Sequence, residues 1–138
     1  MVQKLFSSNV DQLEKQFVES PENVEIILAL ANAYADLGRW EEAVEAYQLS
    51  ISLDPENGDL YNRMGIVFVA LDDPMEAEES YLRAIEYSPW DAVSYYNLGE
   101  LYRGQHRWSN AKYMFEKCLQ FTSDPDDRAA VREKIISL

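Results

Sequence analysis

The sequence predicts an all-α solenoid built from a repeated pair of helices. The first observation behind this prediction is an internal period of 34 residues that is present in three copies. The second is the helical spacing of apolar residues inside each copy. The third is the separation of the copies by proline and short polar turns, which end helices. In a chain of 138 residues these features predict about eight helices in a single domain.

The period is defined by five sets of matching positions in one register. The sets are Pro21, Pro55 and Pro89; Ala43, Ala77 and Ala111; Tyr47, Tyr81 and Phe115; Leu30, Met64 and Leu98; and Tyr34, Phe68 and Tyr102. The members of each set are 34 residues apart. We therefore divide the chain into copies at residues 24–57, 58–91 and 92–125.

Each copy has the pattern helix, turn, helix, turn. In the first copy, apolar residues recur at intervals of three and four from Val24 to Leu37, which is the spacing of one helix face. Gly38 interrupts the pattern, as expected for a left-handed helix end. Helical spacing resumes at Trp40 and stops before Pro55, since proline cannot continue a helix.

The second copy differs at its central turn, which has no glycine. There we expect Asp73 to cap the following helix and Pro74 to occupy the first helical turn. The alanine positions should let paired helices approach closely, because a larger side chain would overpack them.

The two flanks resemble the ends of a solenoid. Residues 9–19 place Val10 and Phe17 on one face, which predicts an N-terminal flanking helix in the place of an earlier second helix. Residues 126–137 place Val131 on an apolar face and charged residues elsewhere. This second pattern predicts a C-terminal helix that caps the last repeat.

The repeat positions resemble the tetratricopeptide repeat (TPR), a family with a period of 34 residues. The third copy is similar to the family consensus at residues 95–99 and again at Tyr102, Ala111 and Phe115. The resemblance covers residues 24–125. It implies a right-handed superhelix in which the first helix of each repeat lines a concave groove. It also implies a non-catalytic scaffold that binds a protein or peptide partner in that groove.

The same resemblance places a set of side chains in the groove. Eight of them are the candidates for contact with a partner: Asn32, Asn62, Arg63, Ile66, Val69, Tyr96, Asn97 and Arg103. Asparagine suits this role because its amide offers both a donor and an acceptor to a peptide backbone. The alternative role for Tyr96 and Asn97 is packing between neighbouring helices, since both match the family consensus.

Some TPR adaptors bind the C-termini of chaperones through a carboxylate clamp of lysine, asparagine and arginine. The resemblance aligns the clamp positions with Leu28, Asn32, Arg63, Val93 and Asn97, and among these Asn32 alone fits. We therefore expect no chaperone tail of this kind as a partner. A segment of mixed polar and apolar character, extended or helical, suits the groove better than an acidic tail.

The composition is strongly acidic, with 25 acidic and 12 basic residues and a net charge of −13. This charge disfavours nucleic acid and anionic membranes as partners, because both need basic residues on the protein. The charge is concentrated in residues 24–91, which hold 15 acidic and 3 basic residues, a net charge of −12. Solvation of the outer face is the simpler interpretation, and docking of a basic partner there is the alternative.

The chemistry-bearing residues are few. Cys118 is the one cysteine and His106 the one histidine, so neither an intrachain disulfide nor a four-ligand zinc site can form. No motif for catalysis, a cofactor or a metal is recognisable, and we expect no enzyme activity. The N-terminus lacks the apolar region of a signal peptide, and no stretch is long enough to span a membrane. A cytoplasmic location is expected.

The tryptophans and the ends of the chain raise two further questions. The resemblance places Trp40 and Trp108 in the core, at turns between paired helices where the family packs an aromatic residue. For Trp90, in the loop between the second and third copies, an exposed interface position and a position folded back over the loop are both open. A self-assembling structural module is the rival to partner binding, because solenoid ends expose helix faces. The thin apolar stripe of residues 9–19 would then be the seam, and the chain would be a homo-oligomer.

Overall fold

The computed structural model describes residues 2–138, and it describes side chains from residue 9 onward. This part of the chain forms eight α-helices and no β-strand. The helices are α1 (Val2–Glu19), α2 (Val24–Asp36), α3 (Trp40–Leu53), α4 (Gly58–Ala70), α5 (Pro74–Tyr87), α6 (Ala92–Gly104), α7 (Trp108–Phe121) and α8 (Pro125–Ile136). The α1 helix thus begins at Val2, earlier than the predicted segment 9–19.

The helices pack in chain order, as in a solenoid. The most extensive contacts join α2 to α3, α4 to α5 and α6 to α7, which are the two helices within each repeat. Each second helix also packs against the first helix that follows it, so α3 contacts α4 and α5 contacts α6. The flanking helices α1 and α8 pack onto α2 and α7.

Small residues allow the paired helices to approach closely. Ala43, Ala77 and Ala111 are fully buried, as the repeat pattern predicts. On the facing helix, a Cβ added to Gly65 would lie 2.5 Å from the ring of Tyr81. Because real Cβ atoms do not tolerate such distances, the glycine provides the space in which the aromatic ring packs.

Both kinds of turn follow the local sequence rules. Gly38 has a φ of 71°, which confirms the left-handed helix end. Asp72 and His106 occupy the equivalent positions with φ values of 55° and 59°. The carboxylate of Asp73 accepts a hydrogen bond from the backbone of Glu76 at 3.3 Å, and Pro74 begins α5, as expected.

The flanking helices contribute to the core. Val10 of α1 is fully buried in the cluster around α2, with Leu13 and Phe17 packed against it. Val131 of α8 is 4% exposed and packs into the cluster around α6 and α7. The apolar stripe of α1 is thus used to cover the first repeat.

The tryptophans are more exposed than the core interpretation predicts. Trp108 is 47% exposed, so its assignment to the core is wrong. Its ring meets the ring of His106 edge to face, with centroids 5.1 Å apart. Trp40 is half-buried at the start of α3. Trp90, left open by the sequence, is 68% exposed in the loop before α6.

Candidate functional site

The first helices of the repeats, α2, α4 and α6, form the surface on which the groove residues were predicted, and we call this surface the groove face. A cavity of about 480 Å³ opens between α2, α3 and α4. We call it the first cavity, and its lining comprises Asn32, Ala35, Asp36, Trp40, Tyr47, Arg63, Ile66 and Val67. Three of the eight predicted residues, Asn32, Arg63 and Ile66, meet here.

Asn32 is the polar centre of the first cavity. Its Oδ1 atom accepts a hydrogen bond from the hydroxyl of Tyr47 and a second one, 3.2 Å long, from Nη1 of Arg63. These bonds connect α2 with α3 and with α4. The oxygen of the amide is therefore committed to the fold, and what remains for a partner is the Nδ2 donor.

The charge of Arg63 is partly neutralised inside the chain. Its Nε donates to Oδ2 of Asp59 at 2.7 Å, which raises the pKa of the guanidinium. Burial raises the pKa of Tyr47, which favours the protonated hydroxyl that donates to Asn32. The cavity thus has a fixed hydrogen-bond network beneath its opening.

Aliphatic side chains make up the exposed part of the groove face. Ile66 is 51% exposed and Val69 is 48% exposed, both on α4. Val93, at the start of α6, is 55% exposed. Exposed aliphatic side chains beside a preformed cavity are the features by which apolar partner segments are bound.

A second cavity of about 310 Å³ lies between α6, α7 and α8. It takes in one more of the predicted residues, Tyr96. Its lining comprises Ala92, Val93, Tyr96, Cys118, Thr122, Asp127, Ala130 and Val131. The ring of Tyr96 also leans against the ring of Phe115, with centroids 5.9 Å apart, so the residue has a packing role as well.

The two remaining predicted residues of α6 are Asn97 and Arg103, and Arg103 is occupied by internal contacts. Arg103 donates to both carboxylate oxygens of Glu100, at 3.2 and 2.9 Å. Lys134 of α8 approaches the same carboxylate at 3.1 Å. Burial alone would raise the pKa of Glu100, but the bonds from the two cations lower it. Asn97 is half-buried, and its Nδ2 lacks a hydrogen-bond partner within the described residues.

Asn62 requires a correction, because it does not face the groove. It is 3% exposed, and its Nδ2 donates to Oγ of Ser94 at 2.6 Å and to Oδ2 of Asp91 at 3.3 Å. These bonds join α4 to α6 inside the stack. A ligand cannot reach this side chain in the folded protein.

The structure also adds residues that the sequence assigned to packing. Tyr47 and Trp40 form the part of the lining of the first cavity that belongs to α3. Their positions on a second helix and their aromatic character indicated core residues. The one further signal was the hydroxyl of Tyr47, since a buried tyrosine needs a hydrogen-bond partner.

Chemistry outside the groove is limited in the described residues. Cys118 is 3% exposed, and burial raises the pKa of its thiol, which opposes nucleophilic reactivity. Among the described residues, no group of three His, Cys, Asp or Glu side chains is placed to hold a metal ion. None of the described helices combines the length and the hydrophobicity needed to cross a bilayer.

Comparison with known proteins identifies the family. A family model described as TPR repeat matches residues 31–72, and one described as tetratricopeptide repeat matches residues 56–123. Both represent the same repeat, and together they reach from α2 to α7. The chain belongs to the tetratricopeptide repeat family.

Solved structures agree with this assignment. The chain is similar to the crystal structure of MamA, with a TM-score of 0.79 and 26% identity over 85% of this chain and 68% of that one. It also matches the Arabidopsis OM64 TPR domain, with a TM-score of 0.75 and 20% identity over 84% of this chain and 96% of that one. The second likeness concerns the fold alone. The predicted all-α TPR solenoid is confirmed.

The curated relatives are much longer proteins. The chain is 32% identical to the protein O-mannosyl-transferase TMTC3 of Mus musculus over 84 residues. This alignment covers 60% of this chain and 9% of that protein. It is 25% identical to the general transcriptional corepressor ssn6 of Schizosaccharomyces pombe over 115 residues. That alignment covers 82% of this chain and 10% of the corepressor. The chain spans about a tenth of the length of these relatives.

The repeat itself has a general role. The tetratricopeptide repeat is in general a non-catalytic protein–protein interaction scaffold, although some proteins that carry it, such as TMTC3, are named as transferases.

Proposed function

We propose that the chain is a non-catalytic binding module that takes a segment of a protein partner on its groove face. The observation that carries this proposal is the first cavity, which is open, preformed and bordered by exposed Ile66. A preformed site reduces the ordering cost of association, because Asn32 already holds Tyr47 and Arg63 in place.

The proposal also covers the cofactors, the partner classes and the location of the protein. Partner binding needs no cofactor and no metal, and the acidic surface disfavours nucleic acid and anionic membranes as partners. A chaperone tail is not the proposed ligand, because the clamp position at Val93 is aliphatic and exposed. The single buried thiol, Cys118, suits a reducing cytoplasmic location.

Affinity capture with paired variants tests the proposal. The groove variant is Ile66→Glu with Val69→Glu, which places charges on the groove face. The matched control is Met75→Glu with Leu82→Glu, because these residues of α5 are 81% and 42% exposed. Both variants are checked for helical folding by circular dichroism before capture.

A partner held by wild type and by the control, but lost by the groove variant, is the expected result. A partner held equally by all three proteins would reject the groove face as the binding site.

Self-assembly is the second candidate function. Val18 of α1 and Ile136 of α8 are 79% and 83% exposed, on the first and last helices of the stack. The test is sedimentation over a range of concentrations, with Ile136→Glu as the variant. A mass that rises with concentration in wild type and not in the variant would support this candidate, and a constant monomer mass would remove it.

A further inference from the structure

The free charge at the mouth of the first cavity is negative. Asp36 lines the cavity, is exposed, and makes no ion pair with residues 9–138. It is the last residue of α2, where the helix dipole adds negative potential and the last turn holds no basic residue. Arg63, the cation of the lining, is paired with Asp59. A partner therefore meets an unpaired carboxylate here.

Half of the lining of the first cavity is apolar, beside the hydrogen-bonded Asn32 and Tyr47. Ala35, Trp40 and Val67 form its walls together with Ile66, whose side chain is half exposed. Burying an aliphatic or aromatic side chain against these residues removes apolar surface from water. Each Å² removed stabilises the complex by about 25 cal/mol. The cavity thus combines apolar walls, a hydrogen-bond network that is satisfied within the chain, and a negative rim.

The second cavity, between α6, α7 and α8, also places apolar side chains beside an exposed carboxylate. Val93, Tyr96 and Val131 supply its apolar surface. Asp127 lines it, is exposed, and makes no ion pair with the described residues. Both cavities thus pair apolar side chains with an exposed carboxylate, which favours a ligand that is apolar and basic.

We propose that the partner segment is basic and apolar, with a bulky apolar side chain in the first cavity and a neighbouring lysine or arginine paired with Asp36. This inference rests on the proposed function, because it concerns the same groove face. Charge complementarity carries it, since an acidic segment would have to displace Asp59 from Arg63 and would be repelled by Asp36. Binding is expected to weaken as salt screens the exposed pair.

Selection from a library identifies the chemistry directly. Random 12-residue peptides displayed on phage are selected on the immobilised full chain, and enriched peptides are synthesised and measured by fluorescence anisotropy. Wild type is compared with Asp36→Asn, Asp36→Lys and Ile66→Glu. The matched controls are Glu41→Gln for the charge and Met75→Glu for the apolar residue, both at exposed positions outside the groove face.

The expected peptides combine lysine or arginine with an aliphatic or aromatic residue. Asp36→Asn should weaken them by up to about fivefold, which is the upper end of the range for one exposed ion pair. Asp36→Lys should weaken them further, and exchange of the peptide's basic residue for glutamate should restore binding to that variant. Ile66→Glu should weaken them by more than about tenfold.

Other outcomes separate the two proposals. Enrichment of acidic or uncharged peptides that depend on Ile66 but not on Asp36 overturns the basic ligand and leaves the groove as the binding site. Peptides that bind equally to Ile66→Glu reject the groove face itself. If wild type enriches no peptide above the level obtained with Ile66→Glu, both the groove face and the basic ligand are rejected.

Discussion

The hydroxyl of Tyr102 donates a hydrogen bond of 2.7 Å to Oε1 of Glu78, which joins α6 to α5 of the preceding repeat. The guanidinium of Arg107 lies over the ring of Tyr102 at 4.2 Å and approaches the same carboxylate at 3.2 Å. Tyr34 makes the equivalent bond to Glu14 in the first repeat, also at 2.7 Å. These contacts fix the angle between successive repeats and so shape the groove face.

Tyr102→Phe should lower the free energy of unfolding by about 1 kcal/mol, because it removes a hydrogen bond to a charged acceptor and keeps the ring. Chemical denaturation followed by circular dichroism measures the change. Tyr113→Phe is the control, since Tyr113 is 54% exposed. Equal stability of the two variants would show that the bond to Glu78 contributes nothing to the stack.

Stability should also fall at high pH. Burial raises the pKa of Tyr34, Tyr81 and Tyr102 to about 12, and the carboxylates of Glu14 and Glu78 add to the effect at the first and third of these residues. The folded chain therefore holds these phenolic protons more tightly than the unfolded chain, whose tyrosines have an ordinary pKa of 10.0. Their stabilising contribution is complete below pH 10 and is lost as the pH rises toward 12.

Ultraviolet titration of tyrosinate checks this prediction. A group of tyrosines should ionise only above pH 10, and the helical signal should be lost over the same pH range. Ionisation of all nine tyrosines near pH 10 in a chain that keeps its helical signal would contradict it.

Two glycines should respond oppositely to the same substitution. Gly38→Ala should destabilise the protein by about 1–2 kcal/mol, because Gly38 has a positive φ. Gly104→Ala should be neutral or stabilising by up to about 1 kcal/mol, since Gly104 lies in α6 and its added Cβ meets open space. Thermal denaturation of the two variants compares them, and a similar loss in both would rule out backbone strain as the cause.

The fold was predictable because its signals are local and periodic. Gly38 ends a helix by its own conformational freedom, and Asp73 caps the next one with its own side chain. The period then places equivalent residues without any knowledge of long-range contacts. His106 shows the limit, because its positive φ follows from its place in the repeat and not from its residue type.

The groove was predictable only in part. The period assigns a residue to a helix, but it does not show which polar side chains find partners inside the stack. Asn32 and Asn62 are both groove candidates by sequence, yet Asn32 lines the cavity and Asn62 is buried against Ser94. Such pairing depends on the contact between repeats, which no local pattern records.

The cap formed by α8 provides a fourth prediction. Nη1 of Arg128 donates to the backbone carbonyls of Leu119 and Thr122, where α7 ends. Arg128→Ala should cost about 1–2 kcal/mol, because it leaves those carbonyls and the negative end of the helix dipole without their cation. Arg132→Ala removes the same charge from an exposed position of α8 and should change stability by less than about 0.5 kcal/mol. Chemical denaturation decides between them, and equal effects would mean that charge alone matters.

Two residues of α4 should separate stability from binding. Asn62→Ala removes the buried donor to Ser94 and should lower the free energy of unfolding by about 1–3 kcal/mol, while the folded molecules keep their affinity for a selected peptide. Ile66→Ala, at a side chain that is 51% exposed, should leave stability within about 0.5 kcal/mol and weaken that peptide by about tenfold. Denaturation curves and fluorescence anisotropy on the same preparations test both statements. If Asn62→Ala weakened binding without loss of stability, Asn62 would have to reach the groove face, and the buried position described here would be wrong.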